Sequence, residues 1–172
     1  KIFRPSEEEP EAAEAASVFS AAPHGRSGLI NLAGFDDESI TNGPGLRAVV
    51  YAQGCPHGCP GCHNPQSHSF SAGQEMTISD IIDIVEEEDF DVTLSGGDPL
   101  CSPQTTLALL QAIKKTGHNV WVYTGYTCEE ILDKPELRAL LPYIDTLVDG
   151  PFIMAQRDTD LLFRGSSNQR II

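Results

Sequence analysis

Residues 54 to 64 read Gly54-Cys55-Pro-His57-Gly-Cys59-Pro-Gly61-Cys62-His63-Asn64, gathering three of the chain's five cysteines into a C-x3-C-x2-C array. Glycine and proline recur too often here for regular helix or strand, so the stretch is a loop able to turn its sulfurs inward. Thiolates clustered this tightly serve a metal. Three of them can hold three irons of a cubane 4Fe-4S cluster, which leaves the fourth iron open to a ligand from outside the protein. The same three with His57, His63 or His68 can instead close a tetrahedral structural zinc site. Spacing alone leaves both metals open. A disulfide framework is disfavoured by the odd cysteine count, the clustering and the want of a leader segment, all of which point to a reducing cytoplasm.

A loop of this kind needs elements to hold it. Arg47 to Ala52 is a continuous apolar run of the sort found in a sheet covered on both faces, and it delivers the chain to Gly54. Ahead of it, Leu29 to Leu32 reads as a short strand and Gly34 to Gly45 as a polar turn region. Beyond the loop, a helix begins near Thr77 with Ser79 as N-cap and an apolar face of Ile81, Ile82, Ile84 and Val85. Asp91 to Leu94 is a strand ending in the Ser95-Gly96-Gly97 turn. Pro103 to Thr116 is helical through Leu107, Leu110 and Ile113, closed by Gly117. Asn119 to Tyr123 is a strand, Thr127 to Leu141 a helix broken at Pro135, and Ile144 to Val148 a further strand.

Alternation of strand and helix predicts an α/β fold with a mostly parallel sheet and right-handed crossovers. Ligands in such folds bind beyond the carboxyl ends of strands. The cysteine loop, Ser95-Gly96-Gly97, Thr124-Gly125 and Asp149-Gly150 are therefore expected on one edge. Each of these, taken alone, also reads as an ordinary strand-end turn. Eight βα units need roughly 250 residues, so an open partial barrel is expected.

The order of the motifs carries a resemblance. Asn42-Gly-Pro-Gly-Leu-Arg47, the cysteine loop, Ser95-Gly-Gly-Asp-Pro99, Val122-Tyr-Thr-Gly-Tyr126, Leu147-Val-Asp-Gly-Pro-Phe152 and Arg164-Gly-Ser-Ser-Asn-Gln169 follow one another as in the radical S-adenosylmethionine enzymes. Within that family the chain resembles the activating enzymes of anaerobic ribonucleoside-triphosphate reductases, from about residue 28 to the last residue. The resemblance implies a partial (βα) barrel of the radical S-adenosylmethionine type over residues 28–172. It implies a 4Fe-4S cluster on Cys55, Cys59 and Cys62, S-adenosyl-L-methionine on its open iron, and an adenosyl radical that makes a glycyl radical on the reductase. Ser95, Gly96, Gly97 and Asp98 stand where the family contacts the methionine amino group. Many members place an aromatic residue just before the third cysteine; Gly61 stands there in this chain, so His63 is expected to take the adenine. Thr124 and Asp149 are expected to face the cofactor, Asp149 toward the ribose, and Arg164 with Asn168 to meet its carboxylate or the partner. A flavodoxin- or ferredoxin-type electron donor is implied. Cys101 and Cys128 receive no chemical role. The alternatives are another radical S-adenosylmethionine enzyme, such as a formate-lyase-type activase, and a zinc-stabilised binding module.

The chain has 172 residues, 40% of them hydrophobic and 7% aromatic, enough for one ordinary core. Its net charge of −14 repels phosphate backbones and anionic membranes, so no nucleic-acid or membrane partner is expected. No apolar stretch reaches the roughly 20 residues of a membrane span, and the reading is cytoplasmic. Residues 1–27 are rich in alanine and glutamate and match no motif. They are expected to be a solvated tail, or one short helix docking by Val18 and Phe19.

Overall fold

The computed structural model describes residues 28–172. The expectation for residues 1–27 lies outside the described residues. Seven strands form one open sheet in the order β3-β1-β2-β4-β5-β6-β7. The four central strands are β2 (Arg47–Ala52), β4 (Asp91–Gly96), β5 (Val120–Tyr123) and β6 (Thr146–Asp149), and they run parallel. Helices α1 (Ile78–Glu88), α2 (Pro103–Thr116), α3 (Cys128–Asp133) and α4 (Pro135–Arg138) connect them. Among the described residues, no helix is long and apolar enough to cross a membrane.

Side chains alternate across a strand, so each central strand serves two different faces. Ala48, Val50, Val92, Leu94, Val120, Val122 and Leu147 join one buried cluster with Ile81 and Val85 of α1, Leu107, Leu110 and Ile113 of α2, Ile131 of α3 and Leu137 of α4. The helices thus cover one face. On the other face Arg47, only 1% exposed, donates from Nε to Thr93 Oγ1 at 2.8 Å, with its guanidinium 5.6 Å from the Trp121 ring centre. Phe163 meets Trp121 edge-on at 5.5 Å, so the C-terminal segment closes this face. Arg47 of the Asn42–Arg47 motif is therefore a buried structural cation rather than part of the loop's chemistry.

The structure departs from expectation at the sheet margins. β1 (Leu29–Ser39) runs through the first half of the predicted turn region, antiparallel to β2, with register shifts between Leu32 and Gly34 and between Asp36 and Ser39. The polar residues Asp36 and Asp37 suggested a turn, but an outer strand tolerates them because one side faces water. β3 (Gln74–Thr77) and β7 (Arg170–Ile171) add antiparallel ends to the sheet. The N-cap of α1 is Thr77, whose hydroxyl accepts from Asp80 N at 3.0 Å, and not Ser79. The break at Pro135 and the left-handed Gly117 at φ 88° are as expected.

Candidate metal centre

The cysteine loop leaves β2 through Gln53 and Gly54, and main-chain hydrogen bonds lash its two ends together. Gly54 N donates to Ser67 O at 2.8 Å and Cys55 N to His68 O at 3.1 Å. Gln53, 7% exposed, donates from Nε2 to Ser69 O at 2.5 Å. Glycines at φ 101° (Gly54), 56° (Gly58) and 73° (Gly61) make the turns that other residues rarely adopt. All three cysteines of the loop are free and half-buried.

The local chemistry suits thiolate ligands. Asn64 N donates to Cys62 Sγ at 3.4 Å, and the amides of His57 and Gly58 are directed at the Cys55 sulfur. Amide donors of this kind stabilise cluster-bound sulfur and tune its potential. Burial outweighs those amides and pushes the Cys55 thiol up, so a metal there must displace a firmly held proton. Among the described residues, no three His, Cys, Asp or Glu side chains converge closely enough to hold one metal ion. The histidines of the loop are engaged elsewhere: His57 Nε2 lies 2.6 Å from Asp98 Oδ2, and the His63 ring lies 5.2 Å from that of Phe152. A cubane asks instead for one sulfur at each of three separate irons.

Asp98 is the polar centre of the neighbouring turn. It is 1% exposed, and its oxygens lie among Leu100 N (2.9 Å), Gly125 N (2.9 Å), Thr124 Oγ1 (3.0 and 2.9 Å) and His57 Nε2 (2.6 Å). Ser95 and Gly96 pair in register with Tyr51 and Ala52 of β2. A Cβ on Gly96 would lie 2.6 Å from Ala52 N, and one on Gly97 2.9 Å from Gly54 C and Ser67 O. The closeness is therefore with the end of β2 for Gly96, and with Gly54 and Ser67, which flank the cysteine loop, for Gly97. Gly125 serves His57 in the same way, since a Cβ there would lie 2.7 Å from the ring Cγ.

The remaining site residues lie beyond β6. Asp149, 1% exposed, accepts from Arg170 Nε at 3.0 Å, from Arg170 Nη2, and from Cys128 N at 2.7 Å, which ties β6 to β7 and to the start of α3. Arg164 donates from Nη1 to Gln169 O at 3.2 Å; its Nε is buried without a partner among the described residues, as is Asn168 Oδ1. Phe152 and Met154 crowd the place where a Cβ on Gly61 would stand, so this segment lies against the cysteine loop. Cys101 Sγ donates to Gly54 O at 3.3 Å, and burial pushes that thiol up to about 11.

The structure thus brings the cysteine loop together with Gly97, Asp98, Thr124 and Gly125, and sets Asp149 in an ion pair of its own. Sequence reasoning missed three organising side chains: His57 as a partner of Asp98, Arg170 on Asp149, and Gln169. Gln169 Oε1 accepts from Gly165 N at 2.9 Å and its Nε2 donates to Gly150 O at 3.1 Å. The histidine inside the cysteine array and Gln169 at the end of the Arg164–Gln169 motif were the visible signals among these.

A family model described as a 4Fe-4S single cluster domain matches residues 41–172. A Haemophilus influenzae protein named anaerobic ribonucleoside-triphosphate reductase-activating protein is 43% identical over 143 residues, covering 77% of this chain and 90% of the relative. The Escherichia coli K12 protein of that name is 37% identical over 142 residues, covering 76% and 90% respectively. The phage T4 protein of the same name is 32% identical over 141 residues, covering 77% and 86%. Carrying the cluster-domain match over residues 41–172 and these identities across most of its length, the chain belongs to the family of anaerobic ribonucleoside-triphosphate reductase-activating proteins.

Proposed function

We propose that this chain reductively cleaves S-adenosyl-L-methionine and passes the resulting radical to a glycine of an anaerobic ribonucleotide reductase. The observation that carries the reading is the three-thiol loop with amide donors on its sulfurs, set beside the Gly96–Asp98 turn at the carboxyl ends of β2 and β4. Cys55, Cys59 and Cys62 would hold a 4Fe-4S cluster. When bound, such a cluster supplies one electron, which splits a sulfonium carbon–sulfur bond into methionine and a 5′-deoxyadenosyl radical. That radical takes a hydrogen atom from a glycine Cα of the reductase, giving 5′-deoxyadenosine and a radical delocalised over two amides.

The chain's own part is to bind, orient and exclude water. Gly97 and Gly125 let the cysteine loop, Asp98 and Thr124 close on one another, and His63 with Phe152 forms an aromatic wall beside the third cysteine. The sheet is open, with β3 and β7 at its ends, and we read it as the partial barrel of the radical S-adenosylmethionine enzymes. An open edge suits a protein substrate that itself seals the site against quenching. A flavodoxin- or ferredoxin-type donor in the cytoplasm would supply the electron, and the acidic charge argues against a nucleic-acid substrate.

The test mixes the anaerobically reconstituted, reduced chain with S-adenosylmethionine and the anaerobic reductase from the same source. A glycyl doublet by EPR together with methionine is the expected result. Cofactor cleavage with no radical on that reductase, while a small molecule or a formate-lyase-type protein is turned over, would overturn the assignment of substrate. One zinc per chain and no colour would overturn the chemistry.

A further inference from the structure

The carboxylate expected to receive the methionine amino group is already committed within the protein. Asp98 is 1% exposed, and an ionised carboxylate offers about four lone-pair positions. Leu100 N lies on Oδ1 at 2.9 Å, Thr124 Oγ1 lies between Oδ1 and Oδ2 at 3.0 and 2.9 Å, and Gly125 N and His57 Nε2 lie on Oδ2 at 2.9 and 2.6 Å. Because the carboxylate only accepts, the His57 proton sits on Nε2 and points at Asp98. The His57 ring is also held by Tyr126, edge-on at 4.7 Å, and stands where a side chain on Gly125 would have to be. His57 lies between Cys55 and Cys59, two residues from each, so it fixes the loop that carries both sulfurs.

Resting on the activase reading above, we infer that His57 is a positioning residue and that Asp98, Thr124 and Gly125 form its socket. The pair latches the cysteine loop to the ends of β4 and β5. Asp98 then acts on the cofactor through the placement of the sulfurs, and the amino group is left to main-chain carbonyls of the turn. The latch explains three features that cofactor contact alone leaves unconnected: the histidine inside the cysteine array, the saturation of Asp98, and the glycine at 125.

The test compares His57→Phe, His57→Gln, Asp98→Asn and the double variant His57→Phe/Asp98→Asn in the full anaerobic chain. Phenylalanine keeps the ring against Tyr126 and removes the hydrogen bond, whereas glutamine keeps a donor. Three quantities are read: amide exchange of the peptide spanning residues 54–62 in the metal-free chain, the rate of iron loss to a chelator after reconstitution, and the dissociation constant for S-adenosylmethionine. A hydrogen bond to a buried charge sets the scale, so His57→Phe is expected to raise loop exchange and iron loss by about tenfold or more. His57→Gln should restore most of that difference. The double variant should be no worse than the poorer single one, because the two residues act as one device. Exchange and iron loss unchanged in His57→Phe would overturn the latch. So would an Asp98→Asn chain that loses cofactor affinity while His57→Phe retains it, since that result gives Asp98 a direct contact. Should the wild-type chain bind no S-adenosylmethionine, the activase reading fails, and loop exchange in the metal-free chain still decides the latch.

Discussion

Five cysteines stand in this chain, and their surroundings divide them. Cys55→Ala, Cys59→Ala and Cys62→Ala should each strip most of the iron from the reconstituted protein. Cys101→Ser and Cys128→Ser should leave iron content and charge-transfer absorbance as they were, because Cys101 only donates to the Gly54 carbonyl and Cys128 lies at the start of α3. Loss of the cluster in either serine variant would defeat the three-cysteine assignment. Glycine at 97 carries a second prediction. Its missing side chain leaves room for Gly54, next to Cys55, so Gly97→Ala should destabilise the metal-free fold by about 1–3 kcal/mol and lower iron retention along with cofactor affinity. Denaturant titration and iron analysis check it; iron retained with only cofactor affinity lost would mean that the room belongs to the ligand. The sequence made the need for glycine legible at 96 and 97. It could not say what approaches them, because Ala52 and Gly54 are more than forty positions away and pairwise contacts of that span leave no local pattern.

Elements differ in how legible they were for a comparable reason. β2 is buried on both faces, and α2 repeats apolar residues at helical spacing, so local sequence determines both. β3 and β7 are short, carry no apolar run, and exist because a neighbour offers hydrogen-bonding partners. The β7 end can be tested directly. Arg170 satisfies the buried Asp149 and also pairs with Glu129 at 2.6 Å, so Arg170→Ala should cost about 2 kcal/mol in urea unfolding of the metal-free chain. An unchanged midpoint would show the ion pair to be idle. Arg170 also holds the exposed Glu129 carboxyl down to about 2, from an ordinary 4.5. A depressed carboxyl contributes stability that is present above its unfolded value and lost as pH falls through the folded one. Wild type and Glu129→Gln should therefore differ at pH 5 and converge as pH falls toward 2; a constant gap across that window would contradict the pairing. In the core, Leu110 of α2 is fully buried, so Leu110→Ala should cost about 2–5 kcal/mol by the same titration.

At the scale of the whole molecule, strand order in the parallel centre follows chain order, and this brings successive strand ends to one edge. The convergence of the cysteine loop, Asp98 and Thr124 was legible for that reason, since it needs only alternation and handedness. What covers the opposite face was not legible, because Trp121 meets Phe163 through a loop with no periodicity.

The two antiparallel end strands have a consequence for how the molecules behave in a crowded solution. A parallel sheet cut off at β6 would present a row of unpaired backbone groups, the template on which strands of separate chains add to one another. Here that row is occupied by β7, two residues long, and the other margin is β3, four residues long with Gln74 and the charged Glu75 exposed, followed by the part of β1 beyond Leu32, which carries the exposed charges of Asp37 and Glu38. Strands so short, and charged at the margin, give a neighbouring chain little to pair with. The ends of the sheet thus act as stoppers against edge-to-edge aggregation, and the loosening of β7 by Arg170→Ala would first be visible as a rise in light scattering rather than as a loss of helix.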